Sequence, residues 1–157
     1  MTDKATRYLE QAVMLAHRNV QAGGRPFGAV VVRGGEVLAT GVNETVATHD
    51  PTAHAELVAL RAAAQRLGSA DLSGCAVYAS GQPCPMCLAA MRLAGVAEVH
   101  FAYSNQDGAP YGLSTAALYE ELAKPLAQQS MTIRHRPLRP QGMGDLYADW
   151  KARQDRA

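Results

Sequence analysis

Between Cys75 and Tyr103 the chain runs a buried apolar strand (residues 75–80), a proline-started helix (85–93) and a second strand (96–103) with no room for long loops. This strand–helix–strand alternation confines the fold to the α/β class. Upstream, residues 29–32 and 36–40 are short β-prone runs joined at Arg33-Gly34-Gly35, a hairpin signal, so antiparallel strands join the same sheet. The sheet is therefore expected to be mixed. Residues 3–22 carry Ala5, Leu9, Ala12, Val13, Ala16 and Val20 at helical spacing and stop at Gly23-Gly24. Residues 53–67, rich in Ala, Leu, Glu and Arg, predict a helix capped by Asp50 or Thr52 and ended by Gly68. Ser114 is the expected cap of a helix reaching Ala123 before Pro125, residues 131–136 of a last strand, and Asp145 the start of a C-terminal helix bearing Leu146, Tyr147 and Trp150. The expected architecture is three-layer α/β/α, with a central sheet of about five strands.

No repeat, low-complexity tract or linker divides the 157 residues, so a single domain spanning 1–157 is expected. Fifteen Lys and Arg against fourteen Asp and Glu give a net charge of +1, which argues against a nucleic-acid partner bound through a broad basic field. No apolar run approaches the roughly 20 residues needed to span a bilayer, and residues 1–10 are too charged for a signal peptide. A cytoplasmic protein with no membrane partner is expected. Of the three cysteines, two sit three apart in Pro83-Cys84-Pro85-Met86-Cys87, too close for a disulfide framework, which favours metal or redox chemistry.

That pair gains meaning from His54-Ala55-Glu56 at the start of the preceding helix. Cys84 and Cys87 straddle a helix N-terminus, where unpaired N–H groups and the helix dipole favour thiolates. Zinc takes four tetrahedral ligands and a catalytic site keeps one position open, so Cys84, Cys87 and His54 complete an open site for one Zn2+ per chain. Glu56, two residues from His54, reaches the same point from the first turn and can carry protons from a zinc-activated water to a ring nitrogen and then to a leaving amine. That is hydrolytic deamination, with water as co-substrate. The competing readings are a thioredoxin-like redox pair and a non-catalytic zinc-binding module; a purely structural zinc site would call for a fourth protein ligand.

His54-Ala55-Glu56 with Pro83-Cys84-x-x-Cys87 resembles the cytidine and deoxycytidylate deaminase superfamily, whose H-x-E and P-C-x-x-C pattern it carries. The likeness extends through Pro26-Phe27-Gly28, Asn43, Asp50-Pro51-Thr52-Ala53 and the stretch Leu118 to Pro125, and is strongest to bacterial guanine deaminases. The resemblance implies a cytidine deaminase-like fold, a free aminated base as small-molecule substrate in purine metabolism, and a homodimer that exchanges a C-terminal segment of about residues 140–157. It further implies base contacts from the Asn43 side chain, the Ala55 backbone N–H and the Phe27 wall. Gln82 stands where guanine deaminases of this type carry Glu, and Ser114 and Thr115 stand near positions they fill with acidic residues. Ser114, Thr115 and Trp150 therefore join the candidate substrate contacts. Cytosine or an s-triazine becomes an alternative substrate, and a tRNA adenosine deaminase is the rival within the superfamily.

Overall fold

The structure, a computed structural model, describes residues 3–157. It divides into two compact units, Met1–Ala123 and Lys124–Ala157.

The first unit begins with α1 (Lys4–Gln21), whose N-cap Asp3 accepts a hydrogen bond from the Thr6 N–H at 2.7 Å. Strands β1 (Gly28–Arg33) and β2 (Glu36–Val42) follow, then a one-turn helix α2 (Thr45–Thr48) and α3 (Ala55–Leu67). Strand β3 (Cys75–Gly81), helix α4 (Pro85–Leu93) and strand β4 (Glu98–Tyr103) form the expected βαβ unit, after which come the short α5 (Asn105–Gly108) and α6 (Ala116–Leu122). The sheet order is β2-β1-β3-β4, antiparallel except for the parallel β3–β4 pair. The sheet is thus mixed, as the sequence predicts.

Side-chain alternation along the central strands explains the three layers. Ala29 and Val31 of β1 and Val77 of β3 point to the face covered by α3 and α4, where they meet Ala59, Leu60, Ala63 and Met91. Val30, Val32 and Tyr78 point to the opposite face and meet Ala12, Tyr8 and Leu9 of α1. Strand β1 is buried at five consecutive residues because both of its faces are covered. Gly41 allows α3 its close approach to β2: a Cβ there would stand 2.4 Å from the Ala55 carbonyl oxygen. The start of α3 is thereby pressed onto the sheet.

Three expectations are corrected. The sheet among the described residues has four strands, not about five, because residues 131–136 pair with no other strand. Their apolar residues Met131 and Ile133 are 72% and 41% exposed; alternation makes a segment β-compatible, but only a hydrogen-bonded neighbour makes it a strand. The cap of α3 is His54, not Asp50 or Thr52: the Asp50 carboxylate instead accepts from the Thr52 N–H and hydroxyl at 2.8 and 2.7 Å, closing a turn before the helix. Likewise Thr115, not Ser114, occupies the N-cap position of α6, although the Ser114 hydroxyl still accepts from the Ala116 N–H at 3.2 Å.

The second unit holds α7 (Leu146–Gln154), which begins where the sequence places it: Asp145 accepts from the N–H groups of Tyr147 and Ala148. Arg139 pairs with Asp145 at 2.8 Å. Leu146, Tyr147 and Trp150 are 77%, 82% and 59% exposed. Among the described residues no helix is long and apolar enough to cross a membrane.

Candidate active site

Helix N-cap positions usually go to Ser, Thr, Asp or Asn, whose side chains satisfy the first backbone N–H groups. In α3 and α4 that position goes to His54 and Cys84, and neither side chain makes a capping bond. Both point at each other instead. His54 Nδ1 lies 3.5 Å from Cys84 Sγ and 3.6 Å from Cys87 Sγ, and the three donor atoms fall within 4.8 Å of one another. Pro85 at the first position of α4 sets the helix start without sacrificing a bonded N–H, and places Cys87 in the first turn beside Cys84.

One imidazole and two sulfurs, two of the three residues buried, at that mutual spacing are a donor set suited to zinc in its open form. Without metal, the site's electrostatics prepare only Cys84 in its ligand form. The Cys84 thiol is lowered to about 4, chiefly by the hydrogen bond to Cys87, against burial and with help from His54. The same bond, followed by burial, pushes Cys87 up, so the metal-free pair keeps one proton on Cys87. His54 is raised first by its hydrogen bond to Cys84. A zinc ion held by these three residues would require the loss of that remaining thiol proton.

Glu56 is the second residue of α3, 6% exposed, and its Oε2 accepts from Cys87 Sγ at 3.3 Å. Burial raises its pKa above the ordinary carboxylate value. It is placed to exchange protons beside the metal ligands.

Next to the triad opens a cleft of about 70 Å3 lined by Arg25, Phe27, Asn43, His54, Glu56, Gln82, Cys84, Leu113 and Thr115. Phe27, Gln82 and Leu113 also line a larger adjoining cavity of about 580 Å3. Asn43 is buried, and its Oδ1 accepts from the Thr45 N–H at 3.1 Å and the Thr45 hydroxyl at 2.8 Å. A backbone N–H admits only an acceptor opposite it, so the oxygen is fixed there and the amide NH2 remains as donor. Phe27 forms a wall, with the Arg25 guanidinium 5.8 Å from its ring centroid. Thr115 lines the cleft with a neutral hydroxyl that reaches Asn105 Oδ1 at 3.4 Å, while its N–H donates to the same oxygen at 3.1 Å. Ser114 does not line it; its hydroxyl is spent on Ala116. Ala55 is buried at the first position of α3, where a helix leaves its backbone N–H unpaired. Trp150 belongs to the second unit. Sequence reasoning missed Arg25 and Leu113 as lining residues; the only local hint is that Arg25 lies two residues before Phe27 and Leu113 next to Ser114 in the chain.

Residues 2–103 match the family model described as the cytidine and deoxycytidylate deaminase zinc-binding region. The chain is 42% identical over 125 residues to guanine deaminase from Bacillus subtilis, covering 79% of this chain and 80% of that protein. It is 37% identical over 94 residues to the tRNA-specific adenosine deaminase of Aquifex aeolicus, covering 60% of this chain and 62% of the relative. The X-ray structure of the Bacillus subtilis guanine deaminase superposes with a TM-score of 0.85 at 35% identity, over 99% of this chain and 95% of that one. With the zinc-type donor set on the starts of two helices and a family match over most of its length, the chain belongs to the cytidine and deoxycytidylate deaminase family and is a zinc-dependent hydrolytic deaminase.

Proposed function

We propose that this enzyme deaminates a free aminated nucleobase of the guanine type, with His54, Cys84 and Cys87 as zinc ligands, Glu56 as proton shuttle, and Asn43, Ala55, Phe27 and Thr115 as base contacts. The observation that carries the reading is the small cleft opening onto Glu56 and onto His54 and Cys84, two members of the donor triad. The sequence likeness to guanine deaminase over 79% of this chain supports it, as against 60% for the Aquifex aeolicus tRNA-specific relative.

When bound, zinc supplies the Lewis acidity that makes water a nucleophile at neutral pH. The protein does the rest. With both cysteines as thiolates, Glu56 Oε2 loses its Cys87 donor and is free to take the proton of the attacking water. Burial favours the resulting carboxylic acid, which hands that proton to a ring nitrogen; the regenerated carboxylate then takes the proton of the added hydroxyl and delivers it to the departing amine. Water adds to the amine-bearing carbon, the C–N bond breaks, and the products are the oxo-heterocycle and ammonia. The Asn43 NH2 donates to an acceptor on the base edge, while Phe27 stacks on its face.

Thr115 tunes the choice of base. A carboxylate at this wall accepts from an exocyclic amine, whereas the Thr115 hydroxyl is neutral and turned toward Asn105. Guanine therefore gains no charged partner here, and cytosine or an s-triazine such as ammeline competes with it. Ammonia release from guanine, cytosine, ammeline and an RNA stem-loop tests the reading: the free bases turn over and the RNA does not. Thr115→Asp raises kcat/KM for guanine by about tenfold relative to the other two, the size of one buried polar pairing. Turnover of the RNA alone overturns the proposal, and a wild type preferring guanine by more than about tenfold with no gain in Thr115→Asp overturns the role of this wall.

The exposed Leu146, Tyr147 and Trp150 on α7 support a homodimer in which the segment from about residue 140 is exchanged, bringing Trp150 to a partner's cleft. Mass measurement at micromolar concentration gives twice the 16.7 kDa chain mass; an active monomer refutes the exchange. A reducing, cytoplasmic setting suits three unpaired cysteines.

A further inference from the structure

Cys84 sits between two prolines, and this leaves its backbone one soft rotation. The Pro83 ring fixes its own φ, and Pro85 restricts Cys84 to the extended region it occupies, φ −70° and ψ 166°. What remains is the swing of the peptide joining Pro83 to Cys84, and the direction of the Pro83 carbonyl registers it. That swing aims the Cys84 Cα–Cβ bond, and so the position of Sγ, toward or away from His54.

The Pro83 carbonyl is held by a residue outside both metal-binding motifs. The Tyr119 hydroxyl, from the half-buried face of α6, donates to it at 2.5 Å. One turn earlier on the same helix stands Thr115, whose carbonyl accepts the Tyr119 N–H at 3.1 Å and whose side chain walls the cleft. Residues four apart share a helix face. A single short helix therefore reaches the base wall with one residue and the ligand loop with the other.

We infer that Tyr119 is a positioning residue for zinc: its hydroxyl clamps the Pro83–Cys84 peptide and holds the Cys84 thiolate at the distance from His54 and Cys87 that the metal requires. It touches neither metal nor base and acts only through Pro83. Cys87 needs no such clamp because it lies within the hydrogen-bonded first turn of α4. The inference rests on the reading of His54, Cys84 and Cys87 as the zinc ligands, and its readout is metal affinity rather than turnover, so it fails or stands independently of the choice of base.

The experiment is a chelator competition for zinc on the full-length protein. Tyr119→Phe, which removes only the hydroxyl, is expected to weaken zinc binding by about 10–100-fold, the usual cost of losing a group that orients a metal ligand. In the cobalt(II)-loaded variant the thiolate charge-transfer band weakens or shifts as the Cys84 bond lengthens. Replacing Tyr119 with 4-fluorophenylalanine, which keeps a para substituent but no donor, gives the same loss should Tyr119→Phe not fold. Replacing it with 4-aminophenylalanine, whose N–H can donate to the same carbonyl, restores the affinity. Leu122→Ala, at an exposed position of α6, leaves it unchanged. Zinc affinity within twofold of wild type in either donor-less protein, or a loss that 4-aminophenylalanine fails to repair, overturns the inference and leaves Tyr119 as a packing residue.

Discussion

Glu56→Ala retains one zinc per chain and the fold, and its kcat/KM falls by at least about 10²-fold, the low end for a positioned general acid–base. Both halves follow from where Glu56 sits. It stands on the second position of α3, buried beside the ligands, yet the nearby zinc-type donor set of His54, Cys84 and Cys87 is complete without it. A fourth protein ligand would close the position that a hydrolytic zinc site keeps for water. Glu56→Gln keeps the shape and loses the proton, so it is as slow as the alanine variant. Because the carboxylate is buried, its removal also relieves a desolvation cost, and the variant is expected to be no less heat-stable than wild type. Metal analysis beside steady-state kinetics checks the prediction; activity within a few-fold of wild type, or loss of zinc in proportion to activity, refutes the shuttle role.

Single replacement of His54, Cys84 or Cys87 by Ala removes most of the bound zinc and with it essentially all deamination. Three ligands divide the task with no spare, since the described residues contain no other cluster of metal-ligating side chains with this spacing. The three variants differ in what they leave behind. Cys84→Ala removes the thiolate already formed at neutral pH, whose pKa is about 4, so it deprives the site of the charge that draws the metal in. Cys87→Ala removes the sulfur that must first lose its proton, and it also unties Glu56 Oε2. Inductively coupled plasma analysis after dialysis distinguishes the outcomes, and near-stoichiometric zinc in Cys84→Ala or Cys87→Ala means the metal is held elsewhere. Zinc bound to the native state also stabilises it by mass action, so each ligand variant melts below wild type in added zinc and shows no zinc-dependent rise.

Much of this was legible along the chain because it is local. The helix over 85–93 and the C-terminal helix begin where proline chemistry and an aspartate cap place them, and β3 follows from its apolar run. The candidate donor set was legible for the same reason, since Cys84 and Cys87 lie within one turn and His54 stands at the start of another helix. The misses share the opposite character. Residues 131–136 alternate like a strand, but no neighbour pairs with them. Asp50 and Thr52 are good cap residues spent on their own turn, while the position that starts α3 is taken by His54, whose side chain turns to Cys84 instead of capping.

The sequence by itself determined the chemistry available: two thiolates and an imidazole at helix starts, a carboxylate two residues from the imidazole, and a neutral pair at Ser114 and Thr115. Tertiary structure decided how these meet. It brought His54 to 3.5 Å from a sulfur thirty positions away, turned the Asn43 amide so that its NH2 is the free end, sent Thr115 but not Ser114 to the cleft wall, and laid Tyr119 against Pro83. The physical reason is that backbone periodicity and capping act within a turn or a strand, whereas these contacts depend on how β1 and β3 pair and how closely α3 can press on Gly41.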